Sequence, residues 1–429
     1  MALLLKNGHV IDPVAGVDAI CDVLIRDGVI VEVGTDLTMP KGETVDCTQK
    51  VIVPGLIDAH THLREPGRED EETVASGTRA AAHGGFTAVC AMPNTSPICD
   101  TASAVRFLEQ RAAEQGVVRV HPIGAVTLGQ GGETLAEIGD MTAAGAVAFS
   151  DDGHAVPTAA MMRNAMDYIK AFDRTLISHA EDTSLSGDGV VNEGAASTMM
   201  GLPGWPAAAE EIAVARDIRL AELTGCRLHL AHLSTAGSVA LLRDAKRRGL
   251  AVTGEVTPHH LFLDETALLG YDTNLKMNPP LRTARDREAL VEAVCDGTVD
   301  CIATDHAPHA RHEKDLEFEV APFGTVGLET ALSLVITHLL RTELVTWADV
   351  VQLMAHAPRA AFGLAPVSLA AGYVGDITII DPEAKVEVTE DWLVGMSHNS
   401  AFLGQRLLGK ASDVLVGGYF ALRNGKVVQ

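Results

Sequence analysis

Two histidines separated by one residue, His60 and His62, end a run of mostly apolar residues that begins at Val51. Side chains two positions apart on an extended strand point to the same side, so these two imidazoles face one space. Imidazole nitrogens are common ligands of divalent metals such as Zn²⁺. The alternative that so short a motif leaves open is two histidines bonded to backbone carbonyls at the end of a strand.

Further histidines and aspartates occur where four later apolar runs end, at residues 150–153, 178–182, 231–234 and 304–309. Taken singly, each has an ordinary structural interpretation. A histidine at the end of a strand is often hydrogen-bonded to its surroundings, and an aspartate there often caps the following helix. Four histidines and two aspartates brought to one place, however, can supply the ligands of one or two Zn²⁺ ions.

A regular alternation of strands and helices would bring these residues together. Eight apolar runs are typical of buried parallel strands, at residues 51–62, 86–95, 118–127, 146–153, 174–182, 226–234, 250–260 and 300–309. Helical patterns separate them, for example at residues 72–85, 103–115, 206–225 and 238–249. Eight such units fit an α/β fold, the closed (β/α)8 TIM barrel of about 250 residues, whose active site lies at the carboxyl ends of the strands.

The two ends of the chain have a different pattern, in which short β-like runs alternate with turns. Asn7-Gly8, Asp27-Gly28 and Asn424-Gly425 are typical hairpin turns. Each end has too few strands for a stable core, so we expect the ends to pair into one small β-rich module. The predicted domains are residues 1–54 and 366–429, which share this module, and residues 55–365, which form the barrel.

Composition narrows the classes of partner. The formal net charge is −24 with no long basic run, which argues against nucleic acid and acidic membranes. The amino-terminal apolar run is too short for a signal peptide, and no segment is long and uniform enough to span a bilayer. Seven cysteines without a repeated spacing are typical of reduced thiols, so we expect a cytoplasmic protein.

Nine motifs resemble those of the cyclic amidohydrolases of the amidohydrolase superfamily. They are DAHTHLREPG (58–67), MPNTSP (92–97), AGAVAFSDDG (144–153), ISHAED (177–182), AHLSTAGS (231–238), EVTPHHL (255–261), KMNPPLR (276–282), ATDHAPH (303–309) and APFGTVGLET (321–330). Within that superfamily the chain is similar to the bacterial long-chain dihydroorotases over essentially its whole length. The resemblance implies a TIM barrel with a small β-sandwich domain built from both termini.

The resemblance also implies a set of metal ligands. They are His60, His62, Asp152, His179, His232 and Asp305. The first two histidines and Asp305 would hold the more buried ion, the other two histidines would hold a second, and Asp152, or Asp151 in its place, would bridge them. Many relatives, including hydantoinases, use a carboxylated lysine as the bridge, but no lysine lies between Lys50 and Lys170. This difference favours the dihydroorotase branch and leaves open whether one Zn²⁺ or two are held.

The reaction that the resemblance implies is the reversible cyclisation of N-carbamoyl-L-aspartate to L-dihydroorotate plus water, in de novo pyrimidine (UMP) biosynthesis. A metal lowers the pKa of bound water toward about 7, which supplies hydroxide as the nucleophile, and polarises the substrate carbonyl. A neighbouring aspartate can take the proton and pass it to the leaving ring nitrogen. Asp305 is our candidate for that general acid and base.

The small-molecule substrate carries a carboxylate, which requires fixed donors. Arg64 offers a bidentate guanidinium, although a surface arginine paired with Glu65 or Asp70 is the alternative. The resemblance adds Asn94 and His309 as contacts of the carboxylate and Asn278 as a contact of the pyrimidine ring. Both asparagines could instead be plain turn residues.

The segment 310–324 follows the last strand with charged residues and then Ala-Pro-Phe-Gly. We expect it to cover the pocket as a lid, with an ordinary solvated loop as the alternative. His259, His260 and His306 could support the metal ligands without binding the metal themselves.

Two other functions compete with dihydroorotase. One is another cyclic amidohydrolase, such as a hydantoinase or allantoinase. The other is a noncatalytic dihydroorotase-like scaffold subunit of aspartate transcarbamoylase, which predicts degraded metal ligands, whereas all six are present here. We also expect a homo-oligomer, and a complex of the active enzyme with aspartate transcarbamoylase stays open.

Overall fold

The structure, a computed structural model, describes residues 2–428. Its strands are β1 (Ala2–Asp12), β2 (Val17–Arg26), β3 (Val29–Gly34), β4 (Glu43–Asp46), β5 (Val51–Pro54), β6 (Leu56–Thr61), β7 (Phe86–Ala91), β8 (Arg119–Gly124), β9 (Ala148–Ser150), β10 (Thr175–Ser178), β11 (Val191–Asn192), β12 (Gly204–Trp205), β13 (Arg227–Leu230), β14 (Val252–Val256), β15 (Cys301–Ile302), β16 (Ile377–Glu387), β17 (Arg406–Val416), β18 (Tyr419–Arg423) and β19 (Lys426–Val427). Its α-helices are α1 (Val74–Gly84), α2 (Ala102–Gln115), α3 (Ile138–Ala143), α4 (Ala159–Lys170), α5 (Thr183–Ser186), α6 (Ala195–Met200), α7 (Ala208–Thr224), α8 (Ala236–Arg247), α9 (Pro258–Phe262), α10 (Ala284–Cys295), α11 (Arg311–Lys314), α12 (Ala331–Val335), α13 (Trp347–Val351) and α14 (Ala357–Ala361).

Eight parallel strands form the barrel in the order β6, β7, β8, β9, β10, β13, β14, β15. The first and last strands meet through a backbone hydrogen bond of 2.9 Å from His62 N to the His306 carbonyl, and Thr61 bridges to the same residue. Small side chains such as Ala59 and Ala148 pack inside the barrel with Ile57. The predicted TIM barrel is therefore confirmed, and each of its eight strands lies within one of the predicted apolar runs.

The helices that follow the barrel strands begin in a repeated way. A threonine precedes the first turn of α1, α2, α4 and α8, and its hydroxyl accepts a hydrogen bond from the backbone N–H three residues later. Such caps satisfy one of the free N–H groups at the start of a helix. These four threonines are Thr73, Thr101, Thr158 and Thr235. The helices predicted near residues 72–85, 103–115, 206–225 and 238–249 are all present as α1, α2, α7 and α8.

The two ends of the chain share one nine-stranded sheet. Its order is β19, β18, β17, β16, β5, β1, β2, β3, and β4 pairs with β1. Apolar side chains from both ends, including Leu5, Ile52 and Ile379, form its core. The expected pairing of the termini is thus confirmed, while the domain bounds drawn from the sequence stay a prediction.

Gly55 separates the two sheets, and it corrects the prediction of a single strand over residues 51–62. Before it, β5 pairs with β1 and β16; after it, β6 pairs with β7 in the barrel. A Cβ atom at Gly55 would lie 2.3 Å from the hydroxyl of Thr87, and the Gly55 carbonyl accepts a 2.9 Å hydrogen bond from Arg359. The chain changes sheets at a point where there is no room for a side chain.

Two of the three predicted hairpin turns are confirmed. Asp27-Gly28 joins β2 to β3, and Asn424-Gly425 joins β18 to β19, each with positive φ at both residues. The hairpin predicted at Asn7-Gly8 is wrong, because both residues lie inside β1. There the register against β2 shifts, so the left-handed Asn7 (φ 61°) forms a bulge.

Within residues 2–428, none of the helices is both apolar enough and long enough to cross a membrane. All seven cysteines are free thiols, and five of them are buried.

The contact at Gly55 predicts the effect of a small substitution. Gly55→Ala should lower the free energy of unfolding by about 1–3 kcal/mol, because the added methyl group overlaps the Thr87 side chain. Urea unfolding followed by circular dichroism measures this change. Gly270→Ala is the matched control, since a Cβ at Gly270 meets nothing within 4 Å. Equal midpoints for the two variants would contradict the proposed steric role of Gly55.

Candidate active site

The six candidate metal ligands lie at the carboxyl ends of five barrel strands. His60 is in β6, and the other five follow the ends of β6, β9, β10, β13 and β15 by one to three residues; they are His62, Asp152, His179, His232 and Asp305. All are at least nine-tenths buried, with His60 fully buried. In a barrel the carboxyl ends of all strands meet at one mouth, so the topology brings the six side chains together.

The ring nitrogens and carboxylates form two overlapping groups. In the first, His62 Nε2 lies 3.0 Å from Asp305 Oδ1, and His60 Nε2 lies 3.4 Å from the same oxygen. In the second, Asp152 Oδ1 lies 3.3 Å from His60 Nε2 and 3.4 Å from His232 Nε2. The potential ligand atoms within each group all lie within 4.8 Å of one another.

His179 joins the second group through two contacts. Its Nδ1 lies 3.4 Å from Asp152 Oδ1 and 2.8 Å from His232 Nε2. The second carboxylate oxygen of Asp152 lies 3.5 Å from His62 Nε2, so this aspartate touches imidazoles of both groups. Its position between them is the one that a bridging carboxylate would need.

Asp151, the alternative bridge, is occupied elsewhere. Its carboxylate accepts hydrogen bonds from the backbone N–H groups of Val126 and Thr127 and from the Thr127 hydroxyl. These contacts tie the end of β9 to the segment after β8. Of the two neighbouring aspartates, the structure directs only Asp152 toward the histidines.

Electrostatics favour positive charge in this cluster. Burial opposes protonation of His60, yet the carboxylates of Asp152, Asp305 and Glu255 raise its pKa well above the ordinary value. Burial would likewise raise the pKa of Asp152, but the nearby imidazoles hold that pKa well below its usual range. Two carboxylates kept ionised among imidazoles create a site where protons or a divalent cation supply the balancing charge.

Two buried atoms in the cluster make no hydrogen bond, namely His60 Nε2 and Asp152 Oδ1. Unpaired polar atoms are rare in protein interiors, because burying one without a partner costs free energy. Here both are atoms that could ligate a metal, and they belong to a donor set of imidazoles and carboxylates that suits Zn²⁺. The residues present therefore fit a divalent metal of the Zn²⁺ type.

Glu255, which the sequence reasoning missed, supports this cluster from behind. Its carboxylate accepts a 2.7 Å hydrogen bond from His60 Nδ1 and a 3.1 Å hydrogen bond from His229 Nε2, and the backbone N–H of His232 donates to it at 3.3 Å. A proton held on Nδ1 leaves Nε2 of His60 free as a ligand. A glutamate inside a buried strand needs hydrogen-bond partners. The glutamate in the apolar run before TPHHL could therefore have been recognised from the sequence as a partner of buried polar groups.

Three candidate residues have left-handed backbone conformations that non-glycine residues rarely adopt. They are Arg64 (φ 59°), His232 (φ 32°) and Asp305 (φ 48°). Such a conformation costs on the order of 1–3 kcal/mol per residue and persists where the surroundings enforce it. The backbone is strained at the points from which these side chains turn into the barrel mouth.

Arg64 is buried, not a surface residue paired with Glu65 or Asp70. Its Nε donates a 3.1 Å hydrogen bond to the Pro308 carbonyl and lies 3.0 Å from Glu71 Oε2. Burial lowers the pKa of Arg64 to about 10, so the guanidinium is still charged at neutral pH. It lines the cavity as a fixed cationic donor.

The remaining predicted substrate contacts line the same cavity of about 330 Å³. Asn94 Oδ1 accepts a 2.8 Å hydrogen bond from His62 Nδ1, which orients that imidazole as Glu255 orients His60. His309 Nε2 donates to the Phe323 carbonyl at 2.7 Å. The structure thus brings Asn94, Asn278 and His309 next to the candidate metal ligands. The hydrogen bond between Asn94 and His62 was not predicted from the sequence.

The segment 310–324 contributes one wall of this cavity. Pro322, Phe323 and Gly324, from the Ala-Pro-Phe-Gly run noted in the sequence, line it. Gly324 has φ +137°, and a Cβ there would lie 2.9 Å from His309 Nε2, so only glycine allows this close approach. Its signal was present in the motif APFGTVGLET. Whether the segment moves as a lid stays a prediction.

His306 and His260, considered as supporting residues, contact neighbouring segments. The His306 carbonyl accepts the backbone hydrogen bond that closes the barrel, and its Nε2 lies 3.6 Å from Glu72. His260 bonds to the Thr257 hydroxyl and the Pro279 carbonyl. His259 Nε2 is buried without a hydrogen bond.

Comparisons with known proteins agree on one family. A family model described as dihydro-orotase-like matches residues 49–238. The chain is 50% identical over 424 residues to a dihydroorotase from Pelotomaculum thermopropionicum, with 99% of each chain covered. It is 49% identical over 419 residues to a dihydroorotase from Geobacter metallireducens, with 97% of this chain and 99% of the relative covered.

Solved structures with this architecture include an L-hydantoinase (dihydropyrimidinase) from Arthrobacter aurescens. It matches with a TM-score of 0.90, covering 100% of this chain and 97% of the hydantoinase. The two sequences are 23% identical, so the likeness shows the fold alone.

The hydrogen bonds of Glu255 predict a loss of metal affinity when its charge is removed. Glu255→Gln should weaken Zn²⁺ binding by about 10- to 100-fold, because the His60 tautomer is no longer held by a carboxylate. Competition with a chromophoric chelator measures the affinity directly. Asp413→Asn is the control, since Asp413 is an equally buried carboxylate in the terminal sheet. Unchanged affinity in Glu255→Gln would remove Glu255 from this role.

Proposed function

The chain belongs to the dihydroorotase family of cyclic amidohydrolases, and from this premise we propose how its barrel mouth interconverts N-carbamoyl-L-aspartate and L-dihydroorotate. One observation carries the proposal: two ionised carboxylates and three of the four imidazoles line a single cavity with the guanidinium of Arg64, and the fourth imidazole, that of the fully buried His60, contacts both carboxylates. From this arrangement we infer a site for a divalent metal next to a site for a carboxylate. The reaction belongs to pyrimidine biosynthesis.

We assign the metal to the six clustered side chains. His60, His62 and Asp305 would hold one ion, His179 and His232 would hold a second, and Asp152 would contact both. Zn²⁺, one ion or two, suits this donor set. Bound there, the metal would supply Lewis-acid polarisation of the substrate amide and a lowered pKa for water. Glu255 and Asn94 bond to the Nδ1 atoms of His60 and His62, so the Nε2 atoms are directed toward the carboxylates of the cluster.

Asp305 is the proton carrier in this mechanism. In the hydrolytic direction, the oxygen of water bonds to the ring amide carbon, and the Asp305 carboxylate takes the proton that the water releases. The bond between that carbon and the ring nitrogen then breaks, and Asp305 returns the proton to the nitrogen. In the biosynthetic direction the same carboxylate removes the ureido proton. Its position 3.0 Å from His62 Nε2 and its lowered pKa, which the imidazoles maintain against burial, support the ionised starting state.

The substrate carboxylate would bind at the Arg64 side of the cavity. Arg64 supplies charge and a fork of N–H donors, and the amide of Asn94 faces the same space. His309 is held by the Phe323 carbonyl, so its ring is oriented before substrate arrives. Asn278, which also lines the cavity, contacts Glu181 and would face the pyrimidine ring.

The same features weigh against a hydantoinase or allantoinase. The position of the bridging ligand is an aspartate, whereas those relatives use a carboxylated lysine there. A buried arginine in the pocket also favours a substrate with a carboxylate, which the usual hydantoinase substrates lack. All six metal ligands are present, which is unexpected for a noncatalytic scaffold.

We further propose that the enzyme works in the cytoplasm. Its free cysteines agree with a reducing compartment, and its similar relatives are bacterial dihydroorotases. The homo-oligomer and the complex with aspartate transcarbamoylase that the sequence suggested stay predictions.

A substrate panel tests the proposed function. We expect turnover of L-dihydroorotate, with dihydrouracil at least about 100-fold worse in kcat/KM, because dihydrouracil is the same ring without the carboxylate. Hydantoin and allantoin serve as the competing substrates, and faster turnover of either would refute the assignment. Chelation should abolish activity and added Zn²⁺ should restore it; full activity in metal-free protein would overturn the mechanism.

Replacing the Asp305 carboxylate with an amide should lower the catalytic rate while the protein still folds. Asp305→Asn should lower kcat by about 10²- to 10⁴-fold at saturating Zn²⁺, because an amide cannot carry the proton. Steady-state kinetics with a parallel determination of bound metal gives the measurement. Asp413→Asn, the same change at a distant buried carboxylate, should retain wild-type kcat. Near-normal turnover by metal-loaded Asp305→Asn would exclude Asp305 from proton transfer.

A further inference from the structure

Two buried lysines form hydrogen bonds with the backbone of the loop whose residues Pro322–Gly324 line the cavity. Lys276 lies in the KMNPPLR motif, directly after a short 3₁₀ turn at Thr273–Leu275, and Lys314 ends α11. Both are less than one-tenth exposed. Each ammonium group donates hydrogen bonds to backbone carbonyls and so joins segments of the main chain.

Lys276 contacts the loop after α11 at several points. Its Nζ donates to the carbonyls of Glu319 (2.8 Å) and Ala321 (2.7 Å). The same ammonium lies 4.5 Å from the centre of the Phe323 ring, within the range of a cation–π contact. The Lys276 backbone carbonyl also accepts a 2.8 Å hydrogen bond from Gly324 N. One residue therefore holds both ends of the segment that faces the cavity.

Lys314 completes the attachment from the other side. Its Nζ donates to the carbonyls of Thr273 (2.9 Å) and Pro322 (2.8 Å). Pro322 is thereby joined to the turn that precedes Lys276. The two ammonium groups together contact four backbone carbonyls of these segments.

This arrangement puts two lysine side-chain amino groups in desolvated surroundings. Burial lowers the pKa of Lys276 to about 8 and, together with the nearby charge of Lys276, lowers that of Lys314 to about 7. Glu319 opposes this effect at Lys276, as Asp272 and Glu313 do at Lys314. Apolar packing alone could hold the loop without the desolvation penalty of two buried amino groups. We therefore ask what the lysine–carbonyl hydrogen bonds achieve.

The reason lies in what the loop presents to the cavity. The Phe323 carbonyl accepts the hydrogen bond that orients His309, and Phe323 also packs edge-on against Trp205. A shift of the loop would release His309 and enlarge the cavity beside Arg64. Asp305 and the metal ligands lie on the barrel strands, and the loop does not hold them.

We propose that Lys276 and Lys314 are positioning residues, which hold Pro322–Gly324 in place so that His309 and the cavity wall can bind the substrate. The inference rests on the proposed function for the identity of the substrate. It assigns the two lysines to substrate affinity and not to the chemical step. Neither lysine is among the residues that line the cavity with the candidate metal ligands.

Lys276→Met and Lys314→Met test this role, because methionine keeps an apolar stem and removes the donors. Each variant should raise KM for L-dihydroorotate about 10-fold, with kcat within about 2-fold of wild type. The loop should also become more accessible to Glu-specific protease at the exposed Glu317 and Glu319, which mass spectrometry of the fragments reports. L-dihydroorotate should slow that cleavage in wild type.

Lys170→Met is the control, because Lys170 is an exposed lysine that also donates to a backbone carbonyl. Lys170 Nζ donates a 2.6 Å hydrogen bond to the Thr224 carbonyl on the outside of the barrel, far from the loop. This variant should keep wild-type KM and cleavage rate. If Lys276→Met does not fold, by circular dichroism, Lys314→Met decides the question with the same two measurements.

The outcomes separate the two proposals. Unchanged KM and cleavage in the lysine variants, the same changes in Lys170→Met, or a loss of kcat at unchanged KM would each overturn the positioning role. Wild-type protein that does not turn over L-dihydroorotate would instead refute the proposed function. The cleavage rates would still report whether the lysines hold the loop, because proteolysis does not depend on turnover.

Discussion

The ionisable side chains at the mouth of this barrel are buried away from water, and their charges must therefore be balanced by one another. Two carboxylates and four imidazoles lie within hydrogen-bond or ion-pair distance of one another, almost entirely out of solvent. Isolated, each charge would be strongly destabilising; together they compensate one another and leave ligand atoms free for a cation. The cluster is stable only if every member is held at its place.

The surrounding protein supplies that support through the backbone. Asp58 at the start of the ligand segment accepts hydrogen bonds from His60 N (3.1 Å) and Thr304 N (3.0 Å), which joins the first strand to the last. Glu255 spans from His60 to the backbone of His232. These carboxylates act between strands that are far apart in sequence. The same carboxylates therefore help to close the barrel and to position the candidate metal ligands.

A second network connects the metal side to the substrate side. Arg64 pairs with Glu71, and Arg68 pairs with Glu71 and with Glu313, which lies in α11. Charge from the first strand thus extends to the loop after the last strand. Lysine side chains contact the carbonyls of the loop wall on one side of the cavity, and the cluster of histidines and aspartates lies on the other.

Much of this organisation follows from local sequence. The period of the apolar runs determines strands and helices, threonines mark helix starts, and the motifs place histidine and aspartate at strand ends, so the barrel and the six clustered residues were predictable. Gly55 was not, because a break between two sheets is enforced by the Thr87 side chain, which lies 32 residues further along the chain. Asn7-Gly8 has the residues of a hairpin turn, yet pairing with β2 makes it a bulge.

The sequence by itself determined the ligand types, their order along the chain and the family. Tertiary structure decided which of Asp151 and Asp152 faces the histidine cluster, and that Arg64 is buried beside Glu71. It also decided that Glu255 and Asn94 orient His60 and His62. It also decided that Lys276 and Lys314 hold a loop. The physical reason is common to all of these. A side chain's role depends on which distant groups share its desolvated space, and only the packed fold brings those groups into contact.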